Sequence, residues 1–319
     1  MRASVVIPTF NRSQSLTHCL DHLSREMALR QDCEVLVVDD GSQDDTAAVC
    51  RSRQNVILVQ QSNQGAGAAR NHGARLARGH CILFLDDDCL ARPGWFDEML
   101  RTCEADDRSL VGGQVVNALV HNPFAEASQT LLDYVDRYYN PAGAGARFVT
   151  SSNLALARHR FWETGGFDPS YAGMGAEDRD FCSRWLAGGG KIHVARQAVV
   201  DHAHHMDLLG FCRQHYAYGK GARQFHRAKQ GPARGLEPAG YYAGMLTHPL
   251  LSPGGWRGLR LSLLIILSQI MSTVATPGKG VDATPELVCR SWQSSTNGRA
   301  ARARFWRGVS GQRRPASVS

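Results

Sequence analysis

Residues 81–88 read CILFLDDD, an unbroken apolar run that ends in three aspartates. A strand with one face in water alternates apolar and polar residues. An unbroken run therefore marks a strand covered on both faces. The same pattern recurs upstream. SVVIPTF (4–10), CEVLVVDDGS (33–42) and NVILVQQ (55–61) are apolar runs closed by polar or turn-forming residues. Helix-like segments separate them. SQSLTHCLDHLSREMA (13–28) places Leu16, Cys19, Leu20, Leu23 and Met27 at helical spacing, with Ser13 as the expected N-cap. SQDDTAAVCRS (42–52) starts with acids that suit a helix dipole, and GAGAARNHGARLARG (65–79) is a small-residue helix. Buried strands alternating with helices predict an α/β fold, a Rossmann-like and mostly parallel sheet flanked by helices.

The pattern loosens after residue 110. LVGGQVVN (110–117) reads as a strand and FAEASQTLLDYVDRYY (124–139) as a helix. Residues 145–168 read as a strand, a short helix and a glycine turn. GAEDRDFCSRWLAGGG (175–190) is a helix stopped by glycines, and KIHVARQAVVDHAHH (191–205) a late strand. Residues 259–276 are apolar but interrupted by Ser262, Ser268 and Gln269, which favours a packed or interfacial helix over a spanning one.

Composition and charge narrow the class. An apolar fraction of 43% with 20% charged residues belongs to a globular chain. The net charge of +7 is uneven: residues 290–319 hold seven arginines and no acid, so the rest is close to neutral. That end is expected to be disordered and solvated, or to attach to an anionic surface. Nine cysteines without a CxxC pair suit reduced thiols, and the N-terminus has no signal-peptide pattern. Both point to the cytoplasm, with the inner face of the membrane as a further option.

Ligands of open α/β sheets sit at the carboxyl ends of the strands. Thr9, Asn11, Asp39, Asp40, Asp86, Asp87 and Asp88 are therefore the first candidates. In a strand, Asp86 and Asp88 would face the same way and share a hard cation such as Mg or Mn, which also bridges phosphates. The bland reading is an N-cap for the next helix. Asp39 and Asp40 suit a base or sugar hydroxyls, or simply an Asp-Gly turn. G-x-G-x-x-R at 65–70 departs from the dinucleotide fingerprint, and Arg70 suits a diphosphate or a solvated helix face. Glu177, Asp178 and Asp180 begin a helix, favourable in itself, and a carboxylate there can serve as general base. Asp201, His202, His204 and His205 cluster without zinc-site spacing, so a single histidine completing an aspartate-bound metal is the more economical idea.

In this order, VVIPTFNR, VLVVDDGSQDDT, NQGAGAARNHG, ILFLDDDC, SSNLALARHRFWETGGFD and GAEDRDFCSRW resemble family 2 glycosyltransferases, inverting nucleotide-sugar enzymes of the GT-A fold. The resemblance covers about residues 3–205. It implies a catalytic domain at 1–205, with a nucleotide half to about 110 and an acceptor half after it. A helical extension at 206–285 and a basic segment at 286–319 would follow. Pro8, Thr9 and Asn11 would line the nucleotide pocket, Asp40 would hold the base, Arg70 would approach the diphosphate, and Asp87 would join them. Asp86 and Asp88 would be the outer residues of D-x-D, with Asp88 the firmer ligand of Mn or Mg and His202 beside it. Asp178 would be the general base, with Gly166, Asp168 and Glu177 near the sugars. The implied donor is a nucleotide sugar, UDP-linked, and the acceptor a glycan, lipid-linked or small molecule, with no nucleic acid. Arg184–Trp185 match the end of Q-x-x-R-W, but Phe181 replaces the glutamine of processive synthases, which favours transfer of one sugar. A nucleotidyltransferase is disfavoured, since PTFNRSQS lacks a glycine-rich loop. A non-catalytic sugar-nucleotide or membrane-associated scaffold is the alternative.

Overall fold

A computed structural model describes residues 1–28, 30–171, 173, 175–228, 237–251 and 255–275. The strands are β1 (Ala3–Thr9), β2 (Cys33–Asp39), β3 (Val56–Gln60), β4 (Cys81–Leu85), β5 (Cys89–Ala91), β6 (Ser109–Asn117), β7 (Asn153–Ala157) and β8 (Lys191–His202). The helices are α1 (Ser13–Met27), α2 (Thr46–Arg51), α3 (Ala66–Leu76), α4 (Trp95–Ala105), α5 (Pro123–Tyr139), α6 (Arg158–Glu163), α7 (Glu177–Ala187), α8 (Leu208–Ala228), α9 (Ala239–Thr247) and α10 (Trp256–Val274).

One sheet runs in the order β3-β2-β1-β4-β7-β6-β8-β5. β1 to β4 are parallel, as the unbroken apolar runs require. β7 reverses direction and pairs antiparallel with both β4 and β6. β8 runs parallel to β6, and β5 pairs antiparallel with β8. The two reversals are short strands, of five and three residues, that the apolar pattern alone does not orient.

Each buried strand feeds two cores. Val5 and Ile7 face a layer with Leu16, Leu20, Leu23, Trp95 and Phe96, while Val6 faces Phe84, Phe161, Phe167, Phe181 and Trp185. This is the two-residue period of a strand working on both faces at once. Phe181 and Trp185, read above against a synthase motif, are fully buried in the second layer. Ser13 opens α1 rather than capping it. Asp44 Oδ2 instead accepts the Ser13 N–H at 2.9 Å, because Asn11 and Asp44 tie the start of α1 to the loop after β2.

Asn153 is the polar knot of the second half. It is fully buried. Its Oδ1 accepts from Trp95 Nε1 at 2.8 Å, and its Nδ2 donates to the carbonyls of Gln114 and Ala198, both at 3.1 Å. One side chain thus joins α4, β6, β7 and β8. It approaches so closely that a Cβ on Gly113 would lie 2.3 Å from Asn153 Nδ2. The β6–β8 register slips between Gly113 and Gln114 at the same place.

Helices α8 and α10 cover α5, burying Phe124 and Ala127 against Phe211, Leu261, Leu264 and Leu267. The buried Glu126 carboxylate accepts from Arg257 and from Arg260 Nη2, which fixes α10 on α5. Cys19, Cys33, Cys50, Cys81, Cys89, Cys103 and Cys182 are free thiols. Residues 276–285 and the basic segment 286–319 lie outside the described residues.

Asn153→Ala would strand the Trp95 N–H and two carbonyls in the core. The expected loss is about 2–4 kcal/mol, read from urea unfolding with an unchanged slope.

Candidate active site

β4 ends at Leu85, and Asp86 to Asp88 form a turn before β5. The strand-like placement expected for Asp86 and Asp88 therefore does not occur: the turn sends Asp86 to Arg70, while Asp87 and Asp88 share Arg12. Asp86 Oδ1 accepts from Arg70 Nη2 at 2.6 Å. Asp87 accepts from Thr9 Oγ1 at 2.7 Å and from Arg12 Nη1 at 3.1 Å. Asp88 Oδ2 accepts from Arg12 Nη1 at 2.8 Å and lies 2.7 Å from His204 Nδ1. Asp88 Oδ1 sits 3.3 Å from His202 Nε2, an ion-pair distance without an aligned hydrogen bond. The rings of His202 and His204 stack with centroids 5.4 Å apart.

On the other side of the cleft, Arg70 is the pivot. Its guanidinium is 3% exposed and bridges Asp86 to Glu177, whose Oε1 it meets at 3.1 Å. Glu177 and Asp178 begin α7, where the helix dipole favours negative charge. Asp178 Oδ1 accepts the Arg179 N–H at 2.7 Å. Burial, then the neighbouring Glu177 charge, push the Asp178 carboxyl up to about 7, against the pull of the Arg179 amide and Arg70. Burial, with Asp88 and Asp86, likewise raises Asp87 to about 7 despite Arg12. Burial would raise Asp88 too, but His202, His204 and Arg12 outweigh it and hold it well below the usual range. The cleft thus separates a proton-ready carboxyl from a firmly ionised one.

Asp88 and His202 suit a divalent cation, whereas the Cys89 thiol, buried among apolar side chains and raised well above its usual range, does not suit Mn or Mg. Asp88, Cys89 and His202 offer ligand atoms within 4.8 Å of one another. Asp88 Oδ1 is buried with no hydrogen-bond partner, the state of an oxygen with a lone pair to give. Asp86 is outside this group, turned toward Arg70.

The nucleotide end lies at β1 and β2. Pro8 is buried in β1 opposite Val38. Asn11, at φ 52°, accepts the Gln43 N–H at 2.7 Å and so anchors the loop after β2. Asp39 Oδ1 accepts the Ser42 N–H at 2.8 Å. Asp40 is spent on the loop before α3, accepting from Gln61 Nε2 at 2.7 Å, Gln64 N at 2.9 Å and Gly65 N at 2.8 Å.

At the opposite end, Gly166 is a left-handed turn residue (φ 67°), and its carbonyl accepts from Arg184 Nη2 at 2.8 Å. Asp168 Oδ1 accepts the Ser170 N–H at 2.8 Å. Arg179 donates to Tyr139 at 2.8 Å and to Glu237 at 3.0 Å, which draws the C-terminal part of the chain to the residue beside Asp178. The Tyr218 ring lies where a Cβ on Gly175 would be, at 2.7 Å. Sequence reasoning missed Arg12, Tyr218 and the part played by His204. Arg12 stood in PTFNR and His204 in DHAHH, but no local spacing signals that they converge on Asp88. Tyr218 belongs to a helix packed from far along the chain.

Residues 4–174 match the family model described as glycosyl transferase family 2. The validoxylamine A glucosyltransferase of Streptomyces hygroscopicus subsp. jinggangensis is 31% identical over 233 residues, 63% of this chain and 55% of that one. The glucosyl-dolichyl phosphate glucuronosyltransferase of Haloferax volcanii is 27% identical over 218 residues, 63% of this chain and 69% of that one. The chain spans about half the length of the curated glucosyltransferases it matches. Among solved structures, a mannosyltransferase from Pyrobaculum calidifontis in complex with GDP-Man and Mn2+ superposes with TM-score 0.57 at 17% identity, over 97% of this chain and 84% of that one. That likeness establishes the GT-A fold.

Arg70→Met would leave the Asp86 and Glu177 carboxylates facing each other without a counter-charge. The expected loss is about 3–5 kcal/mol in urea unfolding. Adding Asp86→Asn and Glu177→Gln to the same chain should restore most of it.

Proposed function

The chain belongs to glycosyl transferase family 2, and from that premise we propose that it moves one sugar from a nucleotide-sugar donor, UDP-linked, to an acceptor hydroxyl with inversion. The observation that carries this reading is the raised Asp178 carboxyl at the start of α7, across the cleft from the ionised Asp88. A general base works best with a pKa near the operating pH. Asp178 takes the acceptor hydroxyl proton as the oxygen bonds to the anomeric carbon. The bond from that carbon to the diphosphate oxygen breaks on the opposite face, and the nucleoside diphosphate leaves with the electron pair.

The remaining residues bind and orient. Asn11 and Asp40 shape the base pocket by fixing the loops around it. Arg70 bridges Asp86 and Glu177 and so holds α3 beside the start of α7. Asp88 and His202 would hold Mn or Mg, with His204 setting the Asp88 carboxylate through its second oxygen. Such an ion neutralises charge on a leaving diphosphate. The named activities of the relatives, with donors such as the GDP-Man of the solved mannosyltransferase, support a nucleotide-sugar donor. Tyr139, Tyr218 and Arg179 form the wall beside Asp178 and are the acceptor side. Phe181 is core, so the departure from the synthase motif leaves single-sugar transfer as the reading.

Release of nucleoside diphosphate from UDP-sugars tests it. Below pH about 7 the Asp178 carboxyl is protonated and cannot accept a proton, so kcat/KM should rise about tenfold per unit toward pH 7 and then level. Asp178→Asn should bind UDP normally yet lose about 10²–10⁴ in kcat. Full turnover by that variant would leave the non-catalytic scaffold reading in its place.

A further inference from the structure

Of the three side chains on the acceptor side of Asp178, two are already occupied. The Tyr139 hydroxyl donates to Glu237 and accepts from Arg179 Nη2 at 2.8 Å, and its ring packs edge-on against Tyr138 and Phe148. Arg179 also donates to Glu237 at 3.0 Å. Tyr218 is different, since it is 45% exposed. An open aromatic ring beside a proton-accepting carboxylate is a surface that a ligand can cover.

Helix α8 carries Tyr218 to that place. At 3.6 residues per turn, Gly210, Gln214 and Tyr218 follow one another along one face of the helix. The first two line an open cleft of 730 Å³ together with Arg12 and His204, the partners of Asp88. That volume is in the range of small-molecule sites. One turn on, Gln214 Nε2 donates to the Tyr218 hydroxyl at 2.8 Å, and the ring lies over Gly175 at the entry to α7. The ring needs a glycine there: a Cβ at 175 would lie 2.7 Å from Tyr218 Cε1, and the backbone φ is 55°. Burial of its hydroxyl end raises the phenol above its ordinary value; the Gln214 amide opposes this, and the charges of Asp178, Glu177 and Asp86 add to it. One face of α8 therefore reaches from the Asp88 end of the cleft to the Asp178 end.

Charge selects the ligand. Arg70 and Arg179, the arginines beside Asp178, are both held by carboxylates, Asp86 and Glu177 in one case and Glu237 in the other. Asp178, Glu177 and Asp86 make this end of the cleft acidic, so a phosphate or carboxylate on the acceptor would be repelled. A sugar ring without charge suits it. Its C–H face is apolar and packs on an aromatic face, while its hydroxyls stay free for hydrogen bonds. We propose that Tyr218 is the platform for the acceptor, an uncharged saccharide whose ring stacks on the exposed phenol and so presents one hydroxyl to Asp178. The proposal rests on the transferase reading and adds to it the class of the acceptor and the residue that selects it.

Saturation-transfer NMR titrations of the full chain with Mg2+ and each of UDP, GDP and TDP test it. The probes are the methyl glycosides of glucose, galactose, mannose and N-acetylglucosamine, beside glucose 6-phosphate and glucuronic acid. At least one neutral glycoside should bind, with saturation strongest on its ring C–H protons, and the two charged sugars should bind at least about tenfold more weakly. Tyr218→Ala should raise the Kd of that glycoside about tenfold, while Tyr218→Phe, which keeps the ring, should stay within about twofold of the native chain. Circular dichroism checks the fold of each variant. Nucleotide binding with no neutral glycoside bound, tighter binding of a charged sugar, native affinity in a folded Tyr218→Ala chain, or a loss in Tyr218→Phe of about tenfold would overturn the platform and leave the transferase reading standing. Absence of nucleotide binding by the native chain would overturn both.

Discussion

Five carboxylates from two separate stretches of the chain, Asp86, Asp87, Asp88, Glu177 and Asp178, meet at one mouth of the sheet, and two arginines make that tolerable. Arg12 joins Asp87 to Asp88, and Arg70 joins Asp86 to Glu177. Like charges this close in a poorly solvated cleft would repel by several kcal/mol without a counter-charge. The guanidinium fork suits the task, since it donates to two carboxylates in different directions from one position. The asymmetry left over is the chemically useful part. Asp88 is held ionised by two histidines and Arg12, while Asp178 has only a distant share of Arg70 and is pushed the other way.

The fold supplies this arrangement through the direction of its strands. β1, β2 and β4 run parallel, so Thr9, Asp39 and Asp86 all emerge at the same edge. The antiparallel β7 and the long β8 then carry the chain back, so that His202 lies opposite Cys89 in the β5–β8 pairing. A carboxylate at residue 88 and an imidazole at 202 become neighbours only because of that three-residue strand. Asn153, buried where β6, β7 and β8 meet, keeps the second half in register with the first.

Much of this was legible in the sequence, and the limits are physical. The unbroken runs at 4–10, 33–42, 55–61 and 81–88 announced buried parallel strands, because they are short, rich in β-branched residues and bounded by turn residues. The acids at strand ends and at the start of α7 announced the site. The local geometry of the acids was not legible. A strand rule placed Asp86 beside Asp88, whereas a turn sends them to Arg70 and to the histidines. Asp40 accepts from three N–H donors of the loop between β3 and α3, contacts that no local pattern announces. Arg12 and Tyr218 were invisible as site residues because their partners lie about 75 and 43 residues away in sequence, and helical or strand periodicity reports nothing over such distances.

We propose that this arginine-braced cleft receives a nucleoside diphosphate together with a divalent cation. Calorimetric titration with UDP in Mn2+ and again in EDTA, on the native chain and on Asp88→Asn, tests it most directly. UDP should bind with Mn2+, and the binding should be lost in EDTA and lost in the variant. Absence of binding by UDP, GDP or TDP in the presence of Mn2+ would contradict it.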